Sequence, residues 1–154
     1  EPFRLRLEGG RVRVLDRVDG STTVLRPDGE SFGFADVDHD ADFDRFCTRA
    51  QVSIAAARIG TERFDPRPDD QSRLHFTTLP WVHFSSFSHA RNWGREDSVP
   101  KFAFGRAQAE GPHTWMPMSV EVHHALMDGV HVGRFVEAFE ASLADPAAWL
   151  GAPA

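Results

Sequence analysis

No tyrosine occurs among the 154 residues, and Cys47 is the only cysteine. A lone cysteine excludes an intrachain disulfide and fits a reducing compartment. No stretch approaches the ~20 consecutive apolar residues of a membrane span, so no membrane partner is expected. There is no long basic run, and the formal net charge is −6. Nucleic acid is therefore not an expected partner either. Several catalytic signatures are missing: the G-x-S-x-G elbow of serine hydrolases, the glycine patterns that cradle phosphates, and H-E-x-x-H. The basic residues are nearly all arginine. The bias toward Ala, Arg, Asp and Gly reads as genomic composition and carries no function. The chain opens at Glu1-Pro2-Phe3-Arg4 without an initiator Met. It enters a strand-like run at once, as a processed or partial product would. The lack of a signal peptide is then uninformative.

What is present suits a soluble globular chain. Hydrophobic residues make up 41%, enough to bury a core, and the length suits one domain over residues 1–154. Phe3-Arg4-Leu5-Arg6-Leu7 and Arg11-Val12-Arg13-Val14 alternate around Glu8-Gly9-Gly10, which predicts a β-hairpin with one wet face. Asp19-Gly20 and Pro27-Asp28-Gly29 mark turns around strands at 21–26 and 31–35. Phe43, Phe46, Cys47, Ala50, Ile54 and Ala57 recur at helical spacing, predicting a helix from about Asp40 to Ile59 with Cys47 on its apolar side and Gly60 as its stop. The run 65–70 reads as an exposed loop. Strands are expected at 74–78, 102–108 and 115–123. A last helix is expected over 132–143, with Val132, Phe135, Val136, Phe139 and Leu143 on one face. The order is α+β, a mostly antiparallel mixed sheet flanked by helices.

One stretch carries chemistry. His123-His124-Ala125-Leu126-Met127-Asp128-Gly129 places two imidazoles at a strand end and a carboxylate four residues after the second. An unperturbed imidazole titrates near neutral pH and serves as a general base without special tuning. Strand alternation sends His123 and His124 to opposite sides, so the two should not act together. His124 is the candidate base, and His123 has a structural role. Asp128 either orients the base or pairs with a cation that shapes the loop; Asp-Gly is also a common turn pair. Zinc is not expected from His123, His124, His131 and Asp128, because adjacent strand histidines point apart. An isolated histidine would more often be a satisfied core residue.

From His123 to Arg134 the sequence resembles the C-terminal signature of the chloramphenicol acetyltransferase family almost position by position. The resemblance continues through Pro80-Trp81-Val82-His83-Phe84-Ser85-Ser86-Phe87 and Pro100-Lys101-Phe102. It reaches back to Phe3-Arg4 and the Gly9-Gly10 hairpin. The whole chain lies on the family's C-terminal two-thirds, and the family's first third has no counterpart in it. A looser form of the motif occurs in condensation domains of peptide synthetases and in acyl-carrying dehydrogenase cores.

The resemblance implies the fold of CoA-dependent acyltransferases and an acetyl-CoA-dependent O-acetyltransferase acting on chloramphenicol or a related small hydroxylated acceptor. It implies a homotrimer with each site at a subunit interface, working in the cytoplasm, where acetyl-CoA is available. By this resemblance His124 is the base that deprotonates the acceptor hydroxyl. Thr77 stands where the family has an oxyanion-binding serine; a β-branched residue also simply suits a strand. Asp128 matches a structural carboxylate whose arginine partner lies in the N-terminal third. Trp81 keeps a coenzyme contact, whereas Ala103 replaces a hydroxyl residue near the coenzyme and Ala107 an aromatic that packs on it. Phe32, Phe64 and Phe87 match apolar positions lining the acceptor pocket, although each also suits a core. His89 replaces an apolar residue of that pocket. The other expectation is a truncated, non-catalytic relative that keeps the fold for assembly or binding.

Overall fold

The structure, a computed structural model, describes residues 1–60, 71–90 and 97–150. After a 3-10 turn at Pro2–Arg4 the elements are β1 (Leu5–Glu8), β2 (Arg11–Val14), β3 (Asp19–Leu25), β4 (Phe32–Val37), α1 (Phe43–Ile59), β5 (Arg73–Thr78), β6 (Lys101–Phe104), β7 (Gln108–Glu110), β8 (His113–Trp115), β9 (Met118–Glu121), α2 (Gly129–Ala144) and α3 (Pro146–Leu150). The expected loop at 65–70 lies outside the described residues.

Two glycines make the first hairpin. Gly9 and Gly10 have φ of 57° and 73°, the left-handed pair that a two-residue turn needs between twisted strands. β1 and β2 pair antiparallel around it, Leu5 opposite Val14. Arg6 on β1 is fully buried. Its Nε donates to the Gln71 carbonyl at 2.5 Å and its Nη1 to the carbonyls of Phe3 and Leu5. Burial pushes this guanidinium down to about 10, against the opposing pull of Glu8; it stays charged at neutral pH. Ser98 completes the seam: its Oγ accepts from the Leu7 backbone N–H at 2.9 Å and donates to Gln71 Oε1 at 2.8 Å.

The central sheet has the order β4-β3-β5-β6-β9. Pairs β3·β4 and β6·β9 are antiparallel, while β3·β5 and β5·β6 are parallel. The mixed central sheet thus has two antiparallel and two parallel pairings, and the separate hairpins β1·β2 and β7·β8 are both antiparallel, so antiparallel pairings are the more numerous among the described strands. The register aligns Phe76, Phe102 and Val120 in one cross-strand row. Phe102 is 2% exposed and packs its ring against Phe76, Phe3 and Phe135 of α2 at 5.1, 5.8 and 5.3 Å. Helix α1 lies on the same side, over β4. A Cβ on Gly33 would sit 2.7 Å from the Ala57 carbonyl oxygen, so this close approach requires glycine.

By alternation, the opposite face carries His75 and Thr77 of β5, Lys101 and Ala103 of β6, Ser119 and Glu121 of β9, and Phe32 and Phe34 of β4. No helix among the described residues covers it. Phe32 and Phe34 are 43% and 40% exposed there. At the β9 end the segment 83–90 lies over the face.

Several expected boundaries move. α1 begins at Phe43, not Asp40, because the Asp42 carboxylate accepts the Arg45 N–H and takes the cap. Asp40 instead holds the Arg45 guanidinium at 2.9 Å and lies 3.6 Å from that of Arg49. Cys47 is half-buried, not inside a core, and Leu143 is exposed. The strand expected at 102–108 stops at Phe104. There Gly105 passes so close to Pro117 and the Val82 carbonyl that a Cβ would collide with both. The strand expected over 115–123 shrinks to Met118–Glu121; Trp115 belongs to the β7·β8 hairpin, and Pro117 between them has no N–H to give a ladder. α2 starts at Gly129, three residues early, because Asp128 caps it.

Candidate active site

His123 and His124 follow β9 as part of a turn, not of the strand. The His123 carbonyl accepts from the N–H groups of both Leu126 and Met127, at 2.9 and 3.1 Å. Leu126 and Met127 are buried, and they anchor this turn under the sheet. Strand alternation therefore does not separate the two imidazoles. Their surroundings do: His123 is half-buried, and its Nδ1 accepts from the Ala125 N–H at 3.3 Å, while the His124 residue is exposed.

Asp128 closes the turn as the cap of α2. Its Oδ1 accepts from the Val130 N–H at 3.1 Å and lies 2.9 Å from His131 Nδ1. The His131 ring reaches back to the Asp128 N–H at 3.1 Å, so the two side chains satisfy each other's backbone as a reciprocal capping box. Partial desolvation pushes the Asp128 carboxyl upward, but the Val130 N–H and the neighbouring His131 outweigh it, and the net shift is downward. The side chain is 57% exposed. Within this chain, helix-end N–H groups and His131 hold the carboxylate; the arginine that the resemblance pairs with it is outside the sequence. His131 was weighed only as a metal ligand. The signal for its real role was its position three residues after the cap.

Thr77 sits on β5 paired with Ala103, which in turn pairs with Ser119. Thr77 is half-buried on the face without helices. Two strand spacings, β5 to β6 and β6 to β9, and the turn after β9 lie between it and His124.

The coenzyme candidates divide. The turn after β5 is sewn to the end of β6 by Leu79 N–H to Phe104 carbonyl at 2.8 Å and Arg106 N–H to Val82 carbonyl at 2.7 Å. That seam brings Trp81 and Ala107 to one corner. Trp81 is 60% exposed and Ala107 is exposed, so both have surface to offer a ligand. Ala103 has none, at 0% exposed. Its expected coenzyme contact is corrected to a packing role within the sheet.

The acceptor candidates also divide. Phe32 lies at the start of edge strand β4, on the Thr77 face, against Phe34 at 5.7 Å. Phe64 lies outside the described residues. Phe87 packs against Phe84 at 5.5 Å and against the His89 ring, edge to face, at 4.9 Å. His89 is tied to β9: Glu121 Oε1 accepts its backbone N–H at 2.6 Å and lies 2.7 Å from its Nδ1. His89 Nε2 is enclosed and has no hydrogen-bond partner among the described residues. Ser119 Oγ donates to the Phe87 carbonyl at 3.2 Å. From the sequence, Glu121 and Ser119 had no role beyond membership of the strand expected over 115–123. Among the described residues no group of three or more His, Cys, Asp or Glu side chains is placed to hold a metal ion, and no helix is long and apolar enough to cross a membrane.

Residues 1–140 match the family model described as chloramphenicol acetyltransferase. This chain belongs to the chloramphenicol acetyltransferase family. It is 32% identical over 151 residues to the chloramphenicol acetyltransferase of Streptomyces acrimycini, covering 97% of this chain and 68% of the relative. It is 29% identical over 137 residues to chloramphenicol acetyltransferase 3 of Escherichia coli, covering 88% and 64%. The chain thus spans about two thirds of the length of these relatives. A solved chloramphenicol acetyltransferase superposes with a TM-score of 0.78 over 88% of this chain and 66% of that one, at 22% identity. At that identity the superposition establishes the fold, that of CoA-dependent acyltransferases, and leaves the chemistry to the residues.

Proposed function

We propose that this chain carries the acyl-transfer site of an acetyl-CoA-dependent O-acetyltransferase for chloramphenicol or a related small hydroxylated compound. The observation that supports it most is the exposed His124 on a turn pinned by buried Leu126 and Met127 and closed by a capped helix. A general base needs an accessible ring on a rigid support. The family match over residues 1–140 agrees with it.

In this reading a ring nitrogen of His124 takes the proton from the acceptor hydroxyl. The oxygen so freed attacks the acetyl carbonyl carbon of the thioester. The Thr77 hydroxyl donates to the oxyanion that forms, a contribution expected of such donors in acyl transfer. When the intermediate collapses, the carbon–sulfur bond breaks and the imidazolium returns its proton to the leaving thiolate. Asp128 braces the turn and takes no part in proton transfer. Trp81 and Ala107 offer surface to the coenzyme, and Phe32, Phe64, Phe87 and His89 line the acceptor pocket. The separation of His124 from Thr77 within one chain supports a site shared between two subunits of a homotrimer in the cytoplasm. In this reading residues 1–154 form one acetyltransferase domain.

Full-length protein mixed with acetyl-CoA and chloramphenicol should release thiol, followed with a thiol-reactive dye. Turnover of other hydroxylated compounds but not chloramphenicol would keep the chemistry and change the substrate. A folded protein that turns over no hydroxylated acceptor would favour the non-catalytic reading, in which the fold serves assembly or binding.

A further inference from the structure

The segment 83–90 forms no strand and no helix, yet it lies over the face that carries Thr77. Two side chains of β9 hold it. Ser119 Oγ takes the Phe87 carbonyl at 3.2 Å. Two residues on along the same face, one oxygen of Glu121 lies 2.6 Å from the His89 backbone nitrogen and 2.7 Å from its Nδ1. The two contacts therefore grip the segment on either side of residue 88. Phe87 is caught between them, with its ring against Phe84 and the His89 imidazole.

The environment makes the grip strong. The side chains of His89 and Glu121 are 14% and 16% exposed, so water competes poorly for the carboxylate, and a charged acceptor strengthens both bonds. The Nδ1 contact also fixes the imidazole: Nδ1 carries the proton and donates it to Glu121. β9 ends at Glu121, and the turn that follows carries His124 three residues on.

We propose that Glu121, acting through His89 and assisted by Ser119, is a positioning residue that fixes the Phe87 wall of the acceptor pocket on the strand leading to the base. This rests on the acetyltransferase reading above. It assigns to Glu121 and Ser119 a role in how tightly the acceptor is held, with no part in bond making. The acceptor approaches the Phe87 wall, whereas the coenzyme surface at Trp81 and Ala107 lies at the far end of β6. Loosening the wall therefore weakens the acceptor selectively.

The test uses full-length protein and the variants Glu121→Gln, His89→Ala and their double, with Ser119→Ala alongside. Steady-state kinetics should show KM for the acceptor raised about 10-fold in Glu121→Gln, the scale of a lost charge-assisted bond. KM for acetyl-CoA and kcat should stay close to wild type. The double variant should lose less than the sum of the two single losses, because the ring contact is removed only once while His89→Ala keeps the backbone N–H bond to Glu121. Ser119→Ala should shift the same KM by less. Equal loss on both substrates, a fall confined to kcat, or additive losses would overturn the proposal.

A second measurement is independent of turnover. Imidazole NMR of wild type should show a strongly hydrogen-bonded, downfield Nδ1 proton for His89, moved upfield in Glu121→Gln, whose neutral amide oxygen is the weaker acceptor. If that proton is missing from wild type, the clamp does not exist. If it is present but the wild type acetylates no hydroxylated acceptor, the acetyltransferase reading fails and the positioning role falls with it. If it is present and the wild type turns over while Glu121→Gln keeps its acceptor KM, only the positioning role fails.

Discussion

His123 and His124 are neighbours in sequence with different surroundings, and a pair of substitutions should separate them. His124→Ala should lower kcat by roughly 10²–10⁴-fold, the range of a positioned general base, while leaving the thermal midpoint near wild type because the side chain is exposed. His123→Ala removes a ring that accepts the Ala125 N–H inside the turn. It should instead lower the midpoint and reduce activity only in proportion to misplacement of His124. Thr77 is tested by shape. Thr77→Val keeps the β-branched form that the strand favours and deletes the hydroxyl, so kcat should fall about 10²-fold or more if that hydroxyl binds the oxyanion. Thr77→Ser keeps the hydroxyl and should retain most of the rate. Equal kcat for the Val and Ser variants would remove Thr77 from the chemistry. At this scale His124 was legible because its motif is long and specific. Ala103 was not. Position in a motif says nothing of burial, and Ala103, in the central strand β6, is 0% exposed.

Both long helices owe their first turns to aspartates, in two different ways. Asp128 caps α2 reciprocally with His131. Asp128→Ala should lower the thermal midpoint by about 2–4 °C, the scale of one lost cap in a chain of this size. Asp128→Asn keeps the acceptor oxygen and should lose less. At α1 the Asp40 carboxyl is held at about 2, below the usual value, chiefly by hydrogen bonds from the Arg45 side chain and with help from the Asp42 N–H. Its pKa is lower in the folded state than in the unfolded chain, so its stabilisation is complete above the unfolded value near 4. It is lost as pH falls through about 2. Asp40→Asn should therefore be less stable than wild type at neutral pH. The gap should narrow between about pH 4 and pH 2 in chemical denaturation, and a gap independent of pH would assign the effect to packing. Apolar spacing located both helices in the sequence, but their starts were misplaced by three residues. Several aspartates precede α1, and spacing cannot choose which of them caps. Glycine is a poor helix former, but Gly129 stands at the first helical position, where that cost is small and the preceding carboxylate decides. The strand ends were hidden for a related reason. Pro117 and the tight Gly105 crossing act through partners distant in sequence.

At the scale of the molecule, the helices among the described residues leave one sheet face uncovered, and Thr77, Phe32 and Phe34 lie on it. Thr77 lies mid-sheet on that face, and Phe32 and Phe34 expose aromatic surface at its β4 edge. His124 lies beyond the β9 exit. In the proposed homotrimer a strand exit of one subunit would meet the sheet face of the next, so each site would draw its base and its oxyanion donor from different copies. Subunit mixing tests this without a structure of the assembly. Full-length His124→Ala and Thr77→Val proteins, each of greatly reduced activity, are unfolded together and refolded at equal amounts. In randomly mixed trimers about one quarter of the sites would pair an intact His124 with an intact Thr77 from the neighbour, and activity should recover to about that fraction of wild type. If both residues of a site came from one chain, every site would keep one defect and mixing would restore nothing. Sedimentation of the refolded mixture checks that trimers formed, so an inactive mixture of intact trimers would place the whole site within one subunit.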